Sequence, residues 1–427
     1  MRNMKGEDAY VSPLHFRQFK AMRNAPTTLG LLLSSLVLSG CASTVETANV
    51  EQPAQSKSLC QTSLVKLDTD FPTGNIASCK ASGKTRFDIT LAPEDAPPIN
   101  CSAWYAFRLT PSRAGTVTVN LTYEACGHRY WPKVSEDGVK WDYLPKKNVV
   151  VEEVDGVKQA WIKVQLGANP VFVAGQEIFA PSTYQTWLDQ VSKSPDAAQW
   201  LLGKSAEGRN IPGMTIKAAG SKPKEQVVLV GRQHPPEVTG ALAMLPFVET
   251  LLSDDPVAKK YRARFETVIV PMLNPDGVVR GHWRHNTGGV DLNRDWGPFT
   301  QPETKLMDGL LRKIEENPDQ KLQLLLDFHS TQKDVFYTIP DEYPTNPPLF
   351  IRDWLARYQD RMPGYNVNRD ARHSADRPIS KAYTYETYGA PAVTFEIGDE
   401  TDRGLIKRIG KESAIAMMET LLATDAP

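Results

Sequence analysis

The chain contains seven histidines, His15, His128, His234, His282, His285, His329 and His373. Imidazole is the commonest metal ligand and the usual proton carrier near neutral pH, so the neighbours of each histidine decide its chemistry. His234 lies in Val230-Gly231-Arg232-Gln233-His234-Pro235-Pro236-Glu237, directly after an apolar run. His329 lies in Leu326-Asp327-Phe328-His329-Ser330, after a second one. A loop bearing His-x-x-Glu can bring an imidazole and a carboxylate to one ion, and a histidine from a neighbouring strand end makes a third ligand. Two histidines, one glutamate and an open fourth position is a catalytic zinc arrangement. Alone, His-x-x-Glu is a weak pattern, since a histidine more often only satisfies local backbone groups. The motifs around it discriminate.

Asn274-Pro275-Asp276-Gly277 follows another apolar run, and Trp283-Arg284 comes next. Gly289-Val290-Asp291-Leu292-Asn293-Arg294-Asp295-Trp296 follows, and near the end stands Val393-Thr394-Phe395-Glu396-Ile397-Gly398-Asp399. Together with Gly203-Lys204-Ser205 and Gly208-Arg209 upstream, this ordered set resembles the zinc carboxypeptidase superfamily over about residues 181–422. A strand-rich segment ahead of it, and Gly231-Arg232-Gln233-His234-Pro235, make the cytosolic carboxypeptidase branch the most similar. That branch takes its name from eukaryotic members, whereas this chain begins like an exported protein. The resemblance therefore leaves the substrate open.

The resemblance implies roles residue by residue. His234, Glu237 and His329 match the ligands of one zinc ion, which acidifies water and polarises a carbonyl. Glu396 matches the general base. Arg284 matches the arginine that stabilises the oxyanion. Asn293 and Arg294 match the pair that holds the substrate's terminal carboxylate, a task suited to a guanidinium fork. Asp291 matches a carboxylate that orients the ring of His234. Glu386, in Tyr385-Glu386-Thr387, is a rival for the base, but Ala392 to Ile397 reads as a buried strand and favours Glu396. Where digestive members carry a substrate-covering tyrosine, the ungapped register gives Ser374. Tyr383, Tyr385 and Tyr388 are replacements to consider, with ordinary packing the simpler fate of each. The position that sets side-chain preference falls on Lys381, which would favour an acidic C-terminal residue by charge pairing. Arg372 and Arg377 add positive charge nearby.

Elements must position these residues. Residues 60–178 read as strands: 104–109, 117–123, 149–154 and 160–166 carry β-branched and aromatic residues with turn signals between them. Such spacing suggests an all-β sandwich. Residues 179–427 alternate helix and strand, which predicts an α/β domain with a mixed central sheet. Predicted helices cover 183–202, 238–252, 303–316, 349–361 and 408–422. Predicted strands cover 214–217, 226–230, 266–270, 322–326 and 392–397. Apolar runs such as Val227-Val228-Leu229-Val230 fit strands buried on both faces, and ligands gather beyond the carboxyl ends of such strands.

The N-terminus adds an address. Leu29 to Leu38 is an apolar run too short to span a bilayer, preceded by Lys5, Arg17, Lys20 and Arg23. Leu38-Ser39-Gly40-Cys41 then resembles a bacterial lipobox, with Met22 a plausible start. It implies a signal over residues 1–40, acylation of Cys41, a tether over 41–59 and a mature protein anchored to a bacterial membrane, facing the periplasm or exterior. An ordinary secretory signal is the alternative. Five cysteines are present, and setting Cys41 aside leaves Cys60, Cys79, Cys101 and Cys126. In an exported chain an even number suggests two disulfides, with three pairings open and Cys60–Cys79 with Cys101–Cys126 the most local.

Composition bounds the function. Lys+Arg total 49 and Asp+Glu 50, a net charge of -1, which argues against a nucleic-acid partner. Hydrophobic and charged contents of 41% and 23% are those of a globular protein. Three functions fit. The first is a zinc metallocarboxypeptidase releasing a C-terminal, acidic residue from peptides. The second applies the same zinc chemistry to cell-wall peptides, as a murein peptide amidase or carboxypeptidase. The third is an inactive binding lipoprotein.

Overall fold

A computed structural model of the chain describes residues 59–97 and 101–424. The signal, Cys41 and nearly all of the tether lie outside the described residues.

The β-rich part holds two sheets. One runs Leu59–Gln61, Val65–Asp68, Ala106–Pro111, Val171–Ala174, Lys133–Ser135, Asp142–Tyr143. The other runs Ser78–Ser82, Arg86–Leu91, Gly115–Tyr123, Val157–Leu166, Val149–Val154. Alternate residues point inward, and Leu67, Phe107 and Val173 of one sheet share a core with Phe87, Val119 and Ile162 of the other. Two disulfides, Cys60–Cys79 and Cys101–Cys126, join the most local pairs. The first bridges the two sheets.

The α/β part is built on an eight-stranded sheet. Its order is Ala197–Lys204, Asn210–Ile216, Phe265–Val270, Glu225–Gly231, Lys321–Thr331, Ala392–Gly398, Val335–Thr338, Arg369–Ala371. The four strands from Phe265–Val270 to Ala392–Gly398 are parallel, and Val335–Thr338 joins antiparallel. The whole of Glu225–Gly231 is buried, as its unbroken apolar run requires. Helices Val238–Leu251, Phe350–Arg361 and Arg403–Leu422 pack one apolar layer, with Phe247, Trp354 and Met417 fully buried. Helix Pro302–Glu316 covers a second layer with Met307 and Leu311.

The long helix predicted over 183–202 is corrected. A helix covers only Pro181–Val191, and Ala197–Lys204 is a strand paired antiparallel with Asn210–Ile216. Pro195 lacks an N–H and disfavours helical geometry at Ser194, so the helix stops short of it. Helix Pro256–Arg264 was not predicted, although Asp255 caps it by accepting from Val257 N at 2.8 Å and Pro256 opens it. The C-terminal helix starts at Arg403 rather than Arg408, capped by Asp402. Among the described residues no helix is long and apolar enough to cross a membrane.

Candidate active site

His234 is delivered by a sharp turn. The buried strand Glu225–Gly231 ends, and Arg232 adopts a left-handed backbone with φ 51°. A non-glycine residue holds that conformation only when its surroundings enforce it. Here the guanidinium donates to Pro235 O at 2.6 Å and Phe179 O at 3.3 Å. Gln233 is held from both sides: Asn274 Nδ2 donates to its carbonyl at 3.0 Å, and Trp296 Nε1 to its side-chain oxygen at 2.9 Å. The Asn-Pro-Asp-Gly motif therefore fixes the residue before His234. Its Asp276 is fully buried, accepting from Ser205 Oγ at 2.7 Å and Arg209 at 2.6 Å, which accounts for the upstream Ser205 and Arg209.

Glu237 precedes helix Val238–Leu251, and that helix is tied to the strand of His329. Ser330 N donates to Glu237 Oε2 at 3.2 Å, and Gly240 N donates to Ser330 Oγ at 2.9 Å. The three side chains converge. His234 Nδ1 lies 2.8 Å from Glu237 Oε1, His329 Nδ1 lies 2.7 Å from Glu237 Oε2, and the two Nδ1 atoms are 3.2 Å apart. Among the described residues this is the one group of three or more acidic, histidine or cysteine side chains placed to hold a metal ion. Each ring's far nitrogen meets a carboxylate: His234 Nε2 is 2.9 Å from Asp291 Oδ1, and His329 Nε2 is 2.9 Å from Asp327 Oδ1. For His234 the contact with Asp291 keeps the proton on Nε2 and frees the Nδ1 lone pair for a cation, and Asp327 places its charge beside the same nitrogen of His329. Asp327 was not singled out from the sequence. Gln233 Nε2 and Ser380 Oγ hold its other oxygen.

Glu396 stands beside the cluster through strand register, paired across the sheet with His329. Its Oε2 is buried and has no hydrogen-bond partner among the described residues, which suits a group meant to meet water and substrate. Burial, then the charge of Glu237, pushes its carboxyl up to about 7. Glu237 behaves oppositely. Burial opposes its ionisation, but the two imidazoles outweigh it and hold the carboxyl well below the usual range. Two neighbouring carboxyls with opposed tendencies divide ligand from base.

A pocket of about 370 Å³ opens over these groups. Arg284, Asn293, Arg294 and Lys381 all line it. Arg284 Nε donates to Asp291 Oδ2 at 2.7 Å, so one carboxylate orients both His234 and Arg284. Asn293 Oδ1 accepts from Ser380 N at 2.9 Å, and Arg294 donates to Asn293 O at 2.6 Å. Lys381 differs from a free counter-charge. It is only 2% exposed, and its ammonium donates to Thr338 O at 3.1 Å and Arg372 O at 2.6 Å. Burial lowers its pKa to about 8.

Several expected or unexpected residues are placed by the fold. Glu386 pairs with His373 at 2.6 Å and is absent from the pocket lining. Tyr383 donates to Asp308 at 2.9 Å and packs on Phe299, while Tyr385 packs on His373. The tyrosine that does line the pocket is Tyr337, opposite Thr394 on the antiparallel neighbour of the Glu396 strand. Arg129, from the β-rich part, also lines it, anchored on Asp399 at 2.8 Å and 3.2 Å. No sequence signal links Arg129 or Tyr337 to the motifs, because the contacts are made by packing across the chain.

The "Zinc carboxypeptidase" family model matches residues 184–409, and the "Cytosolic carboxypeptidase N-terminal domain" model matches residues 67–163. Cytosolic carboxypeptidase 6 of Mus musculus is 26% identical over 288 residues, 62% of this chain and 52% of that protein. Cytosolic carboxypeptidase 2 of Danio rerio is 40% identical over 267 residues, 54% of this chain and 36% of that protein. The chain thus spans about half or less of the length of these curated relatives. A metallo-carboxypeptidase from Burkholderia cenocepacia shares the fold with a TM-score of 0.70 at 20% identity, over 84% of this chain and 99% of that one. With the first model covering more than half of the sequence and falling on the part that builds the site, the chain belongs to the zinc carboxypeptidase family.

Proposed function

We propose that this protein is a zinc-dependent metallocarboxypeptidase that hydrolyses the last peptide bond of peptides, with a preference for an acidic C-terminal residue. The observation that carries the proposal is the convergence of His234, Glu237 and His329 beneath a pocket whose base, Glu396, is set beside His329 by strand register. One zinc ion on those three ligands would supply Lewis-acid polarisation of the scissile carbonyl and acidify attacking water.

The chain's own residues supply the rest. Asn293 and Arg294 receive the free carboxylate of the substrate and set the register of the bond to be cut. Ionised Glu396 takes a proton from the attacking water and hands it to the leaving amine. Arg284, held by Asp291, faces the carbonyl oxygen as negative charge develops there. Tyr337 covers the substrate from the next strand. The acidic preference rests on the cations of the walls: Arg129, Arg284 and Arg372 answer Asp399, Asp291 and Asp370, which leaves Arg294, Arg377 and Lys381 as the positive charges facing an incoming carboxylate. Lys381 keeps one donor free after its two backbone bonds and fixes the carbonyl of Arg372.

The lipobox-like Leu38-Ser39-Gly40-Cys41 after an apolar run supports our proposal of a lipid anchor, and two disulfides, which are rare in cytosolic proteins, support a place outside the cytoplasm. Cys41→Ser should move the protein from the membrane fraction to the soluble fraction. Unchanged membrane partition would overturn the anchor. For the chemistry, metal analysis of the purified protein should return about one zinc per chain, removable by chelator together with activity. Full turnover by Glu396→Gln would overturn the assigned base.

A further inference from the structure

The segment that carries Arg284 is held from the other domain. Residues 281–285 follow helix Pro275–Arg280 and carry Arg284, and they contain neither strand nor helix. Thr73 N donates to Val279 O at 3.0 Å. Asn75 Nδ2 donates to Gly281 O at 2.8 Å. Gly281 has φ 66°, and a Cβ there would stand 2.5 Å from Thr73 O, so the two backbones meet with no room for a side chain. The strongest link is Glu94, in the loop after strand Arg86–Leu91. Its carboxylate accepts from three consecutive backbone amides, those of Trp283, Arg284 at 2.9 Å and His285 at 2.8 Å. Successive N–H groups aimed at one anion form a nest, and charge-assisted bonds of this kind are stronger than neutral ones. Trp283 is buried between the domains, packed with Tyr130 and beneath the guanidinium of Arg129 at 5.0 Å.

We infer that Glu94 is a positioning residue for peptide hydrolysis: the β-rich domain sets the place of Arg284 by gripping its backbone, so that the active site is assembled from both domains. The inference rests on the peptidase proposal above, in which Arg284 meets the developing oxyanion. Asp291 fixes the guanidinium end through Nε, and Glu94 fixes the backbone end. An arginine anchored at both ends reaches the same point at every turnover, and such pre-organisation is what oxyanion stabilisation requires.

The test is a double-mutant cycle on the full chain with zinc bound, using Glu94→Gln, Arg284→Ala and the pair. Glu94→Gln should lower kcat about tenfold, a fraction of the ~10²-fold or greater cost of removing an oxyanion donor, with KM within about twofold. The Glu94 cost should vanish once Arg284 is alanine. Hydrogen exchange at the Trp283, Arg284 and His285 amides should accelerate in metal-free Glu94→Gln with the rest of the α/β domain unchanged. Glu94→Asp, which keeps the charge and shortens the reach, should give an intermediate kcat and serves if the glutamine variant is too unstable to purify. A Glu94 cost that persists in the Arg284→Ala background, or an unchanged kcat, would overturn the inference alone. A harmless Arg284→Ala would instead remove the oxyanion role on which it rests.

Discussion

The residues that define the centre divide by how they are reached. His234, Glu237, His329 and Glu396 stand at or after buried strands, a context that is weak by itself, and the ordered motifs around them, Asn274-Pro275-Asp276-Gly277 and Asp291-Leu292-Asn293-Arg294 among them, make them legible in the sequence. Asp327 sits two residues before His329 and stands 2.9 Å from its far nitrogen, yet an aspartate in a strand carries no motif. Tyr337 and Arg129 were illegible for a different reason, since only strand pairing and domain packing bring them to the pocket. Lys381 was singled out by register, but the fold gives two of its donors to carbonyls. At this scale the sharpest expectation concerns Glu396. Glu396→Gln should keep zinc and lower kcat by ~10²–10⁴-fold. Burial and Glu237 raise its carboxyl to about 7, and the base works ionised. Activity should therefore rise with pH through the Glu396 pKa and fall below it. A bound cation lowers that value, so the ascending limb of kcat/KM in the zinc-loaded enzyme belongs at or below pH 7. A limb centred well above pH 8 would point to another group.

Among the elements, helix Val238–Leu251 and strand Lys321–Thr331 matter most, because the helix leads directly from Glu237 and the strand carries His329. They approach at Gly240, where a Cβ would collide with the carbonyl oxygen of His329 itself. Thr239 Oγ1 donates to Ser330 Oγ at 2.8 Å in the same contact. Gly240→Ala should push the helix off the strand, costing about 1–3 kcal/mol of stability by overpacking and weakening zinc binding at the same time. Calorimetry with and without chelator measures both, and an unchanged zinc affinity would show that the strand of His329 tolerates the displacement. The buried parallel strands were read correctly because their apolar runs are unbroken. The segment 183–202 was misread because Trp187, Leu188 and Val191 begin a helical stripe, while the partly buried strand after Pro195 lacks clean alternation.

At the scale of the molecule, the sequence separates a β-rich domain from an α/β domain, but it does not reveal that the first helps build the site of the second. Glu94 and Arg129 are spaced far from the motifs and have ordinary neighbours. The disulfides stabilise the domain that presents them: Cys60–Cys79 spans its two sheets, and Cys101–Cys126 precedes Arg129 closely. Loops of this size contribute about 3 kcal/mol each by restricting the unfolded chain. Reduction should lower the melting temperature and, through loss of the β-rich domain's grip, activity as well. Melting that ignores reductant would remove that link. The central claim is that the whole assembly cuts at a free C-terminus with a metal. It is tested most directly by mass spectrometry of one peptide with a C-terminal glutamate, offered as the free acid and as the amide, with and without chelator. The account predicts release of the single terminal residue from the free acid only, abolished by chelator and restored by zinc. Equal cleavage of the amide, or cleavage that survives chelation, would contradict it.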